Sequence, residues 1–224
     1  MRLTHRLIAF LLAVMLLPAL ASASADAFRP VSRSSSISAH SFEALLSDPA
    51  GITTSNRAST TDLGLYDSTV IADSAATKAH QRSVVLANGA DVLLEAVASD
   101  PWSSLGYKTA DSRFELVFNI VTPASYHLVG NMAILDGAPP AYRQPFGQVM
   151  LKGPGIDVDF LAREDTPFDY RGNLNTGTYT LSMIAFAKEA WACSATTSGT
   201  FTVAPEPASL AALSLSVLLL RRRR

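Results

Sequence analysis

The chain has 224 residues, 48% of them hydrophobic and 17% charged, with 18 basic side chains set against 19 acidic ones. Its only cysteine, Cys193, excludes an internal disulfide and a metal site built on a thiolate cluster. The charges are unevenly spread. Setting aside Arg2, Arg6 and the four arginines that end the chain leaves 12 basic against 19 acidic residues, a formal charge of −7. So acidic a body argues against nucleic acid or an anionic surface as its partner.

The chain opens with Arg2, His5 and Arg6, then an apolar run over residues 7–20, then Ala21, Ser22, Ala23, Ser24 and Ala25. A basic start, a short apolar helix and small side chains at alternate positions form the pattern of a secretory signal peptide, cut after Ala23 or Ala25 by signal peptidase. The run falls short of the roughly 20 residues a permanent span needs, and Pro18 breaks its end. Residues 1–25 are therefore expected to be a signal peptide. Residues 26–60, rich in serine, alanine and threonine, show no sustained period. They are expected to be a loose leader with one short helix over 42–46, started by Ser41 and stopped before Pro49.

From Leu63 onward alternation takes over. Phe114, Leu116, Phe118 and Ile120 fall on one face opposite Glu115 and Asn119, and Tyr126, Leu128, Met132 and Ile134 oppose His127 and Asn131. The turn between these two runs is expected at residues 123–125. Residues 84–87 and 92–97 flank Asn88-Gly89, a pair suited to a type I′ hairpin. Residues 148–152 and 156–161 flank Gly153-Pro154-Gly155, and residues 170–174 and 178–187 flank Asn175-Thr176-Gly177. Phe201 and Val203 close the set. Many short strands punctuated by turn residues predict an all-β body over residues 61–204, an antiparallel β-sandwich or jelly-roll-like fold. Leu174, Gly177 and Tyr179 also fit a tyrosine corner, in which the phenol bonds a backbone group across a Greek-key corner; the alternative is an ordinary core tyrosine.

The end of the chain has three parts: Pro205, Glu206 and Pro207, an apolar run over 210–220, and Arg221, Arg222, Arg223 and Arg224. The prolines hold the segment extended for a protease or transpeptidase. The apolar run enters the bilayer as a hydrophobic helix, and the arginines stay on the cytoplasmic side, leaving the motif outside. At 1.5 Å per residue the run covers roughly half of a 30 Å hydrocarbon core. This order resembles the PEP-CTERM sorting signal of exported bacterial proteins. The resemblance implies that residues 205–224 are read by an exosortase-like transpeptidase after a transient stay at the inner membrane, and that the protein ends at the cell surface or outside a Gram-negative-type cell. The body resembles those of many PEP-CTERM proteins as well, through Pro123, Tyr126, Leu128 and Gly130 and through Leu174, Gly177, Tyr179 and Leu181. That likeness implies a fold and carries no active residue.

Three constellations bear on chemistry. Asp157 and Asp159 share a strand face and, with Glu164, Asp165 or Asp169, offer oxygens to Ca²⁺; a solvated strand face is the alternative, since no ordered calcium loop surrounds them. His127 with Asp111 or Asp136 is a candidate general base, but it points away from the apolar face, and no serine occupies a nucleophile elbow. Trp102, Trp191 and Tyr142 offer flat faces for sugar rings, against the usual role of such side chains as core. These readings predict a non-catalytic envelope or extracellular-matrix protein with no cofactor and no structural metal, associated with exopolysaccharide or biofilm. The alternative is a secreted carbohydrate-binding sandwich.

Overall fold

A computed structural model describes residues 27–45, 48–72, 77–99, 107–136, 145–189 and 192–205. The signal segment with Ala23 and Ala25, and the tail from Glu206 onward, lie outside the described residues. So do both expected terminal helices.

Among the described residues twelve strands pair, all antiparallel, in two six-stranded sheets. The first sheet holds β1 (Phe28–Leu45), β2 (Asp48–Thr60), β6 (Tyr107–Ile120), β8 (Phe146–Gly153), β9 (Ile156–Ala162) and β11 (Gly177–Glu189), in the order β2-β1-β6-β11-β8-β9. The second holds β3 (Tyr66–Ala72), β4 (Thr77–Leu86), β5 (Gly89–Ala98), β7 (Ala124–Asp136), β10 (Thr166–Leu174) and β12 (Cys193–Pro205), in the order β10-β7-β12-β5-β4-β3. The chain is an antiparallel sandwich, as the alternation predicted. From β5 to β8 each strand crosses to the opposite sheet, so most connections are arches over an end rather than hairpins.

The expected leader is part of this body. Residues 28–45 and 48–60 form β1 and β2, and Phe42 lies in a strand, paired with Tyr107 on one side and Thr53 on the other, where a helix was expected. The period is hidden in the sequence because β1 buries Arg33, Ser35 and Ser41 along with Ile37 and Ala39. Polar side chains on both faces leave no hydrophobic alternation to read.

The expected alternation in β6 and β7 is the core. Phe114, Leu116, Phe118, Ile120, Leu128 and Met132 are buried, each contributing about 1.5–3 kcal/mol by leaving water. Phe28, Phe118, Phe201 and Tyr179 pack as one aromatic group, with Phe118 5.0 Å from Phe28, 5.2 Å from Phe201 and 5.7 Å from Tyr179 between ring centres. Toward the other end of the sandwich the interior changes to small side chains: Ala39, Ala79, Ala96, Ala98, Ala110, Ala185, Ala187 and Ala195 are all buried.

The turns follow the expected chemistry with one shift. Pro154 and Gly155 join β8 to β9, and Gly155 adopts φ +75°, the arrangement a type II turn needs at its two centres. Between β4 and β5 the central pair is Ala87-Asn88, because Leu86 pairs with Gly89; Gly89 already belongs to the strand. Residues 121–123, two residues earlier than the expected 123–125, and residues 175–176 carry the chain from one sheet to the other.

The tyrosine corner is present. The Tyr179 hydroxyl donates to the Asn175 carbonyl at 3.0 Å and reaches the Pro154 carbonyl at 3.2 Å, so one phenol ties the β10–β11 arch to the β8–β9 turn. Burial raises the phenol above its ordinary value and keeps it a donor. The ring leaves no space at Gly153, where a Cβ would run into it. Tyr179→Phe keeps the packing and loses both bonds, so it is expected to cost about 1–2 kcal/mol, read as a lower urea midpoint at unchanged slope. An unchanged midpoint would show that the ring acts as core alone.

Candidate functional site

Register fixes which residues share an end of the sandwich. Phe28 pairs with Ile120, and the Val121 amide donates to the Ala27 carbonyl at 3.0 Å. Pro205 pairs with Ala124, three residues beyond Val121. Ala27 and Pro205, the outermost described residues, therefore leave the body at one end. The strand ends at Leu45, Ala72, Ala98, Asp136 and Glu189 gather at the other: Thr77 and Cys193 both pair with Ala98, Cys193 also pairs with Asp136, and Glu189 pairs with Lys108.

Beside the root of the tail lies a shallow open groove lined by Ser125, Tyr126, His127, Gly172, Asn173 and Ala204. His127 does not meet Asp111 or Asp136. Its Nε2 lies 3.0 Å from Oδ1 of Asp169, and Arg171 bonds the same carboxylate through Nε and Nη2, both at 3.0 Å. Asp111 lies on the outer face of the opposite sheet, held by Arg113 Nε at 2.7 and 2.9 Å, and Asp136 is nine residues along β7. The general-base pairing is thus replaced by a three-membered cluster in which His127 and Arg171 share the Asp169 carboxylate. Bonds from Arg171, with His127 adding to them, hold Asp169 below the usual carboxylate range. That stabilisation is present at neutral pH and is lost as acid protonates the carboxylate. Asp169 and Arg171 are exposed and His127 is half-buried, so the cluster shapes the groove without supplying a fully desolvated base.

The five candidate calcium ligands do not converge. Asp157 and Asp159 face Lys152 Nζ at 3.4 and 3.9 Å, and Asp159 accepts a bond from Gln148 Nε2 at 2.7 Å. Asp165 caps the Ile134 amide at 2.7 Å, and Asp169 is engaged as described. Among the described residues no three acidic, histidine or cysteine side chains group as a metal site. Calcium or a chelator is expected to leave the melting temperature unchanged, whereas a calcium-dependent rise of several degrees would reveal a native-state ligand. Trp102, Tyr142 and Trp191 lie outside the described residues.

The outer face of the first sheet carries a feature that the sequence reading missed. Along β11 the buried residues are Tyr179, Leu181, Met183, Ala185 and Ala187, so Phe186 and Ile184 point outward, out of phase with the core. Cross-strand from Phe186 is Phe146 on β8, and from Ile184 is Gln148. The two half-buried rings lie 5.2 Å apart between centres at a 32° tilt. Leu161 on β9, 45% exposed, stands opposite Gln148, and Met150 stands opposite Asp159. On the other flank Asp111 and Arg113 of β6 pair with Phe186 and Ile184. A phenylalanine at an outward position was the available signal, yet only the pairing of β8 with β11 brings the two together.

No protein family matches the chain, and neither does any curated protein. Among solved structures, a family 35 carbohydrate binding module from Clostridium thermocellum aligns at a TM-score of 0.24 and 14% identity, over 52% of this chain and 92% of that one. That likeness is too slight to bear on fold or ligand.

Proposed function

We propose that this chain is an exported, non-catalytic envelope or extracellular-matrix protein, sorted through Pro205, Glu206 and Pro207 by an exosortase-like enzyme. One observation supports the reading above the rest. Ala27 and Pro205 leave the sandwich at the same end, so the two segments that read as membrane-directed both attach there. A body built this way tolerates tethering during export with no rearrangement of its strands. β12 runs up to Pro205 as the central strand between β7 and β5, so the motif follows directly on a rigid element. The arginines after the apolar run would hold the tail at the cytoplasmic face while the motif stays outside.

A second reading, a polysaccharide-binding sandwich, gains support from the Phe146–Phe186 pair on the outer face. The two are compatible, since a matrix protein needs something to hold. The intact mass of the protein recovered from its own host tests the sorting reading: a chain without the tail supports it, and one that keeps the tail overturns it.

A further inference from the structure

We propose that the outer face of the first sheet binds a neutral polysaccharide, seated on the Phe146 and Phe186 rings and held at its edges by Gln148, Asp159, Asp111 and Arg113. The inference rests on the reading that the body works outside the cell, where such polymers occur.

Its first support is the cost of the arrangement. Phe146 and Phe186 occupy positions where the same strands elsewhere place Thr180, Ser182 and Lys152, and each keeps ring surface in water that burial would have stabilised. Side by side on adjacent strands, with Ile184 next along β11 and the exposed Leu161 on β9 across Gln148, they make an apolar cluster on the sheet that Gln148 interrupts. Large aromatics paired this way mark a contact surface more than a random exposure. A sugar ring presents one apolar C–H face and a rim of hydroxyls, and it meets this strip face to ring.

Polar groups flank the strip on both sides. The Gln148 amide and Asp159 carboxylate, already aligned by their 2.7 Å bond, stand beside the rings on one side, and Asp111 with Arg113 stands on the other. These are donors and acceptors fixed by each other, the preorganised kind that reads hydroxyl positions.

Charge balance selects the class of polymer. Arg113 is engaged by Asp111 at 2.6 Å, and Lys152 is shared by Asp157 at 3.4 Å and Asp159 at 3.9 Å, so the fringe leans acidic and disfavours an anionic chain. The named side chains span four adjacent strands, β6-β11-β8-β9, at about 4.8 Å per strand, a reach that suits an extended polymer. A second copy of the chain would have to cover about 800 Å² on each side, and the apolar strip is only two to three side chains deep.

The test is native affinity electrophoresis of the full chain, in a detergent without a sugar headgroup, through gels holding hydroxyethylcellulose, laminarin, galactomannan or dextran, with alginate as the anionic control. The chain is expected to be retarded by at least one neutral polymer and not by alginate. Phe146→Ala and Phe186→Ala are each expected to weaken that retardation about tenfold, with Phe186→Tyr retaining it. Should an alanine variant fail to fold by circular dichroism, Gln148→Ala, a surface change, is expected to weaken binding several-fold. No retardation in any neutral gel, retardation by alginate alone, or undiminished binding by folded alanine variants would overturn the proposal. So would a dimer by light scattering that Phe186→Ala dissolves, since the face would then be occupied by a second copy. The outcome is separable from sorting: retardation of a chain that keeps its tail in the host would fault the sorting reading only.

Discussion

Arg33→Ala is expected to destabilise the body by about 3–5 kcal/mol, measured by denaturant unfolding. Arg33 is 2% exposed, inside the sandwich, and its guanidinium is held by hydroxyls and backbone carbonyls. Nε donates to Ser35 Oγ at 2.9 Å, Nη2 to Ser83 Oγ at 2.6 Å, and Nη1 to the carbonyls of Asp62, at 3.0 Å, and Gly64. Its guanidinium lies 5.5 Å from the centre of the Tyr66 ring and 5.7 Å from that of Phe114. Burial lowers its pKa, opposed by Tyr66 and Asp62, yet a guanidinium so far above neutrality stays charged. One side chain thus ties β1 to β4 and fixes residues 62–64, which carry the chain from the first sheet to the second. Alanine would leave a cavity and remove the guanidinium from two carbonyls, while Ser35 and Ser83 would keep their bonds from Gln81. Arg33→Lys keeps the charge but not the fork, so it is expected to recover only part of the loss. A change below about 1 kcal/mol for the alanine variant would show that residues 62–64 are held by other contacts.

The second large effect concerns the tail. Glu206→Ala is expected to leave a longer, membrane-retained precursor in the native host, because the motif's only charged side chain is gone while the apolar run and arginines remain. Replacing Arg221, Arg222, Arg223 and Arg224 by serine acts differently. It removes the charge that holds the tail at the cytoplasmic face, so the short apolar run should slip through and the uncut protein should reach the periplasm or medium. Opposite destinations for the two variants would separate recognition from retention. A normally processed Glu206→Ala chain would show that the enzyme reads something other than this motif.

How much of this was legible in the sequence depends on what each strand buries. Where the core side chains are large, as in β6 and β7, alternation named the inward residues correctly down to Phe114 and Met132. For Leu174, Gly177 and Tyr179 the sequence left a tyrosine corner and a core tyrosine both open, and the hydroxyl's bond to the Asn175 carbonyl decides for the corner. Where the interior is polar or small the signal failed: β1 hides Arg33, Ser35 and Ser41 inside, and Ser41 looked like a helix cap. The sheet change at residues 121–123 was not legible because a local turn and an arch use the same kinds of turn residue. His127 could be seen to point outward, but its partner Asp169 lies 42 residues away and follows only from the pairing of β7 with β10. The Phe146–Phe186 strip has the same origin in long-range register.

The measurement that bears most directly on the account is the intact mass of the protein purified from its own host. A mature chain beginning after Ala23 or Ala25 and lacking residues 210–224 is the predicted result. A surface-located form that still carries Arg221, Arg222, Arg223 and Arg224 would contradict it, and would make the tail an anchor in place of a sorting signal.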